Sequence, residues 1–140
     1  AASDVYKRQQ YEYAAPAVML ALRWPMDELD ERIAQRTRLM FDQGLIEETR
    51  ELDRLGLRHS KTAAKATGYA QALAVIDGEM SIPEAIDSVA LATRQLARRQ
   101  LKWLRRDPRI VWIDRSGEGA RTSAEAVLQI AREVVLSAFR

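Results

Sequence analysis

The sequence contains no cysteine. Disulfides and thiolate metal sites are therefore excluded. It has a single histidine, His59, in 140 residues. That rules out clustered imidazole ligands and argues against a Ser-His-Asp nucleophile. Excess charge is scarce: 22 Lys and Arg face 20 Asp and Glu, leaving +2. The chain as a whole is no polycation, so any nucleic-acid site must come from local clustering. No apolar run is long enough to span a membrane and no signal-peptide pattern is evident, which makes the cytoplasm the expected compartment. Repeats, low-complexity tracts and Gly-rich phosphate loops are also lacking. What remains is 47% hydrophobic and 30% charged. That is a globular composition, in a length that suits one domain with a core or part of a larger one.

Charge is segregated along the chain. Acidic residues collect in Asp27–Glu31 and Glu47–Asp53, and basic ones in Arg94–Arg109. Within the basic tract, Thr93–Arg106 (TRQLARRQLKWLRR) has no Gly or Pro, is rich in strong helix formers and reads as helix. Arg94, Arg98, Lys102 and Arg105 or Arg106 recur at one-turn spacing and form one stripe. Ala97, Leu101 and Leu104 form a second stripe suited to packing. Gln95, Gln100 and Trp103 lie between them, and Asp107 alone supplies an acid at the end. Guanidinium groups on one rigid face suit phosphate oxygens, and interleaved Gln and Trp suit bases. The same pattern also fits a basic surface helix with no ligand. Composition leaves both readings open.

The remaining pattern predicts a mostly α-helical chain with one or two core strands. Residues 17–24 (AVMLALRW), an apolar run between Pro16 and Pro25, read as a buried strand. Residues 109–114 (RIVWID) read as a second strand. Two strands make a poor sheet, so part of the sheet is expected outside this chain. Helices are predicted over about 26–43, 45–55, 62–77, 82–106 and 123–139. Pro25 and the acids after it suit a helix start, Met26, Leu29, Ile33 and Met40 form its inner face, and Gly44 suits its end. Arg32 and Arg36 fall on another face, where spacing alone favours pairing with Glu28 and Glu31. His59 reads as a polar loop residue, and Thr62 as a helix cap. Gly68 permits a turn or the close approach of another backbone. Tyr69 is either a core aromatic or a stacking platform, with core the simpler reading. Ser81 and Glu84 have capping-box spacing. In the last helix, Leu128, Ala131 and Val135 point inward. Residues 1–9 look foreign: there is no initiator Met, and Asp4–Gln9 (DVYKRQ) resembles the translation of a sequencing adaptor. They are expected to be a non-native leader.

Five motifs then occur in order. They are Arg32-Ile33-Ala34-Gln35-Arg36; Met40-Phe41-Asp42-Gln43-Gly44-Leu45-Ile46-Glu47-Glu48; Gly68-Tyr69; Thr93-Arg94-Gln95-Leu96-Ala97-Arg98-Arg99-Gln100 with Trp103-Leu104-Arg105; and Val111-Trp112-Ile113-Asp114. One alone would be weak evidence. In this order and spacing they resemble the C-terminal part of bacterial tRNA dimethylallyltransferases, also called tRNA isopentenyltransferases. The resemblance covers roughly Pro16 to Asp114. Arg105-Arg106-Asp107-Pro108-Arg109 looks like an actinobacterial version.

The resemblance implies an α/β parent, a P-loop NTPase-like core with a helical insert, of which residues 10–140 are the C-terminal part. It implies transfer of the dimethylallyl group of dimethylallyl diphosphate to N6 of the adenosine 3′-adjacent to the anticodon, which is flipped into a channel. It implies Mg²⁺ with ligands outside this chain, a core Asp as base, and a monomer acting on the tRNA anticodon stem-loop. Arg36 corresponds to the Arg that contacts the diphosphate, with Arg32 in support, which reverses the pairing reading for Arg36. Lys65, Gly68, Tyr69, Arg94, Arg98, Arg99, Gln100, Lys102, Trp103 and Arg105 correspond to tRNA contacts. The pattern departs from the family at Ala70, where Lys or Arg is usual, so one phosphate contact is in doubt. The phosphate loop and the base are not in this chain, so it is expected not to catalyse transfer alone. Exposure of the apolar Val18–Leu22 run is expected to make it poorly soluble. The alternative is a helical RNA-binding module with no chemistry.

Overall fold

A computed structural model describes residues 15–115 and 124–139. The predicted leader lies outside them. The chain divides into two compact units, Met26–Arg99 and Ala1–Pro25 with Gln100–Arg140.

In the first unit, α1 spans Met26–Asp42 and α2 spans Leu45–Arg54. Asp27 and Glu28 occupy the first turn of α1, where a carboxylate meets the positive end of the helix dipole. The inner face is carried by Ile33, Thr37 and Phe41. Of the predicted face, Ile33 is buried and Met40, half-buried, packs against the core, while Met26 and Leu29 are half-buried. Strict i, i+4, i+8 spacing from Ile33 selects Thr37 and Phe41. Thr37 is tolerated inside because its Oγ1 donates to the Ile33 carbonyl at 2.8 Å. Thr49 of α2, fully buried, does the same to Leu45 at 2.7 Å. Gly44 sits between the helices at φ +98°, where a side chain would be strained, just past the end of α1 as predicted.

The predicted helix over 62–77 does not form as one piece. Two short 3₁₀ turns, Leu57–His59 and Ala63–Lys65, precede α3 at Tyr69–Ile76. Ala66 is extended, and Thr62 makes no side-chain cap. Gly68 has φ +106°, which breaks any helix running into Tyr69. An added Cβ there would meet Leu45 and Met40 side-chain carbons at 3.9 Å, an ordinary contact. The glycine therefore serves the turn and not a close backbone approach. The Gln71 side chain accepts from the Gly68 N–H at 3.0 Å and closes the start of α3.

The helix α4 spans Ile82–Leu104. Its start is the predicted capping box: the Ser81 N–H donates to Glu84 Oε2 at 2.8 Å, and Ser81 Oγ donates to the same oxygen at 2.6 Å. These bonds hold the Glu84 carboxyl below its ordinary range. The core of this unit joins Phe41, Leu45, Ile46, Ala72, Ala85 and Val89, with Tyr69 packed against it.

In the second unit, β1 (Met19–Arg23) pairs in parallel with β2 (Ile110–Asp114), Met19 opposite Ile110 and Arg23 opposite Asp114. Both strands are slightly shorter than predicted. Among the described residues the sheet has only these two strands. Ala21, Ile110 and Ile113 are buried, but Leu22 and Val111 are exposed. That corrects the expectation of a fully buried strand: half of a two-stranded ribbon lacks a neighbour. Before β2, Asp107 is buried and accepts from the Arg109 N–H at 3.0 Å and its guanidinium at 2.9 and 2.7 Å, fixing the turn. Helix α5 (Ala124–Ala138) buries no residue completely. Its half-covered side carries Ala126, Val127, Ala131 and Val134, while Leu128 and Val135 are exposed. The predicted inner face is therefore right at Ala131 and wrong at Leu128 and Val135.

Candidate nucleic-acid interface

Helical spacing along α4 puts Arg94, Arg98, Lys102 and Arg105 one turn apart, as the sequence predicts. The helix proper ends at Leu104, so Arg105 and Arg106 lie in the turn that follows. Arg98, Arg99, Gln100, Lys102, Trp103 and Arg105 are exposed, and Arg94 is half-buried. Ala97, Leu101 and Leu104 are half-buried, as a packing stripe requires. Trp103 is 65% exposed. An indole left in water at that level buries little of its own area, so its ring faces are open for stacking.

The cations of this face are not equivalent. Among the described residues, Arg94, Arg99, Lys102, Arg105 and Arg106 make no ion pair. Arg98 does: its Nη2 donates to Asp30 Oδ2 at 2.6 Å and joins α4 to α1. Other arginines are similarly occupied. Arg23 donates at 2.7 Å to Asp114 Oδ2, holds that carboxyl below its usual range, and lies over the Trp112 ring at 5.6 Å. Arg58 grips both oxygens of Asp77 at 2.8 and 2.7 Å and also donates to Asp53. These carboxylates offset the charge of the arginines they meet, while pairs this exposed add little stability.

Arg36 is exposed on α1 and, among the described residues, has no ion pair. Glu31, its expected neighbour, instead accepts from Gln35 at 3.3 Å. The pairing that spacing suggested for Arg36 is thus not made, and the guanidinium is left open. Arg32 is exposed on the same helix. Lys65 is exposed in the second 3₁₀ turn and Gly68 is buried. Tyr69 is half-buried against the core, and its hydroxyl donates to Glu48 Oε1 at 2.6 Å. That bond to a carboxylate pushes the phenol up from its ordinary pKa. The core reading of Tyr69 holds, with one ring edge anchored to α2.

Among the described residues, no hydrogen bond or ion pair joins Arg36, Lys65 or Tyr69 to the basic residues of α4. Sequence reasoning missed Asp30, whose partner lies 68 residues away. The only available signal was the neighbouring acidic tract itself.

Parallel strands with helices between them in the chain define an α/β protein. Comparison with known proteins narrows the class. Residues 1–107 match a family model described as IPP transferase. The chain is 53% identical over 103 residues to the tRNA dimethylallyltransferase of Pseudarthrobacter chlorophenolicus, covering 74% of this chain and 34% of that protein. It is 49% identical over 104 residues to the enzyme of that name from Paenarthrobacter aurescens, again 74% and 34%. Among solved structures, the tRNA isopentenylpyrophosphate transferase of Bacillus halodurans superposes with TM-score 0.78 at 26% identity, over 98% of this chain and 43% of that one. This chain belongs to the IPP transferase family. It spans about a third of the length of the curated relatives it matches.

Proposed function

We propose that this chain is the tRNA-gripping part of an enzyme that transfers a dimethylallyl group from dimethylallyl diphosphate to N6 of the adenosine 3′-adjacent to the anticodon. The adenine nitrogen attacks the allylic carbon, the carbon–oxygen bond to diphosphate breaks, and the N6 proton passes to a base. Arg36 holds the departing diphosphate, with Arg32 in support. A permanently charged fork suits an oxygen-rich leaving group whose charge grows as the bond breaks. The α4 face grips the anticodon stem-loop through Arg94, Arg99, Lys102 and Arg105, while Arg98, Gln100 and Trp103 meet loop bases. Lys65, Gly68 and Tyr69 line the path of the RNA from the second 3₁₀ turn. The observation that carries this reading is the run of exposed cations from Arg98 to Arg105, in a chain 53% identical over 103 residues to a tRNA dimethylallyltransferase.

In the same reading the parent protein is cytoplasmic, acts as a monomer and uses Mg²⁺. Among the described residues, no group of three His, Cys, Asp or Glu side chains is arranged to hold a metal. The ion is therefore not assigned to them, and no step is routed through it. No helix of the described residues is long and apolar enough to cross a membrane.

The test is binding of the 140-residue chain to an anticodon stem-loop with adenosines at the modification site, against the same stem with a pyrimidine loop. The reading expects the adenosine loop to bind more tightly and Arg99→Glu to abolish binding. Equal binding of both loops leaves only a phosphate-binding face. Absence of binding overturns the RNA role of this chain.

A further inference from the structure

Among the ion pairs of the described residues, one involves a residue of the RNA-facing stripe. Arg98 Nη2 donates to Asp30 Oδ2 at 2.6 Å, and the Arg98 side chain remains 52% exposed. The other Asp30 oxygen, Oδ1, is buried and has no hydrogen-bond partner. The carboxylate charge is thus balanced from one side only, by Arg98. Releasing Arg98 would leave that buried oxygen's carboxylate without the one cation that faces it among the described residues. Among the described residues, the nearby cations Arg94, Arg99, Lys102 and Arg105 make no ion pair.

We infer that Arg98 reads a base of the RNA loop, while its unpaired neighbours bind phosphates, and that Asp30 is the residue that positions it. This rests on the RNA-binding role proposed above. The reasoning is electrostatic and geometric. A phosphate contact displaces condensed counterions and needs net positive charge. Arg98 with Asp30 is neutral as a unit, so it gains little from a phosphate. A guanidinium fixed through one nitrogen keeps its remaining N–H donors in a set direction. Fixed direction is what recognition of a base edge requires and what non-specific attraction does not. The two tasks are thereby separated: four cations hold the backbone and one paired guanidinium discriminates.

The experiment measures affinity of the full chain for the adenosine-loop and pyrimidine-loop stems across a salt series. The variants are Arg98→Gln, Arg98→Lys, Asp30→Asn, Asp30→Glu and Arg99→Gln, with helicity checked by circular dichroism. Arg98→Gln and Asp30→Asn are expected to lower the preference for the adenosine loop by about fivefold or more. Arg98→Gln should not reduce the salt slope, and Asp30→Asn, which frees a cation, should keep or steepen it. Asp30→Glu should recover the preference. Arg99→Gln should keep the preference and reduce the slope by about 0.7 to 1. If Asp30→Asn loses helicity, Arg98→Lys carries the test: it keeps the charge but not the fork, and should still lose the preference. The inference is overturned if Arg98→Gln flattens the salt slope and leaves the preference intact, or weakens both RNAs equally. A wild-type chain that binds both loops alike overturns the parent reading as well. Failure of the inference alone shows instead as a wild-type preference that survives Arg98→Gln.

Discussion

Tyr69 donates its hydroxyl hydrogen to Glu48 Oε1 at 2.6 Å and so bridges α3 and α2, while its ring packs against the core. Removing the hydroxyl and removing the ring should have different effects. Tyr69→Phe is expected to cost about 0.5–1.5 kcal/mol of stability, the ordinary worth of one hydrogen bond. It should leave RNA affinity nearly unchanged. Tyr69→Ala should cost more stability and also weaken RNA binding. Chemical denaturation and stem-loop titration of both variants check this. Equal RNA loss in the two would show that the hydroxyl, and not the ring, meets the RNA.

Gly68 sits at φ +106° with room for a methyl group, so Gly68→Ala isolates backbone strain. The expected cost is about 1–3 kcal/mol, concentrated at the start of α3. Hydrogen exchange should show earlier opening of Tyr69–Ile76. An unchanged exchange pattern would contradict the strain argument.

Arg58 makes the helical unit sensitive to acid through Asp77. Its guanidinium, held by Asp77 and Asp53, pulls the Asp77 carboxyl below the usual range. A carboxylate whose folded pKa is depressed adds stability above its unfolded pKa and loses it as pH falls through the folded value. Stability should therefore decline below about pH 4. Arg58→Gln should lower the melting temperature at pH 7 and flatten the acid limb. Melting curves from pH 2 to 7 for both proteins measure it.

Ser81 closes the first turn of α4 with Glu84, and α4 carries the basic face. Ser81→Ala is expected to cost about 1 kcal/mol, typical of a lost cap. The cap lies far along the helix from Arg99, so RNA affinity of the folded protein should not change. A large loss of affinity would mean that fraying reaches the basic face.

The isolated chain should not transfer the prenyl group. No residue in it is assigned as the base, and it contains no Gly-rich phosphate loop. Incubation with labelled dimethylallyl diphosphate and stem-loop should leave the RNA unlabelled. Incorporated label would place a complete active site within these 140 residues.

Features set by local spacing were legible before the structure. The Ser81–Glu84 box, the helix end at Gly44 and the exposed stripe on α4 each depend on residues at helical spacing close along the chain. The Arg98–Asp30 and Arg58–Asp77 pairs were not legible, since their partners lie 68 and 19 residues apart. Spacing also suggested a helical partner for Arg36 that the fold does not use. The helix predicted over 62–77 failed because the extended Ala66 and the φ of Gly68 override the propensity of the alanines around them. In α5, Leu128 and Val135 looked inward because they are apolar. Periodicity fixes which residues share a face, but which face is covered depends on the neighbours.

The most direct test of the RNA-facing role of α4 is photo-crosslinking of a 4-thiouridine-substituted anticodon stem-loop to the saturated chain, followed by mass-spectrometric mapping. Adducts are expected on Trp103 and on neighbours between Arg94 and Arg105. Adducts confined to α5 or to the strands, with none on α4, would contradict the account.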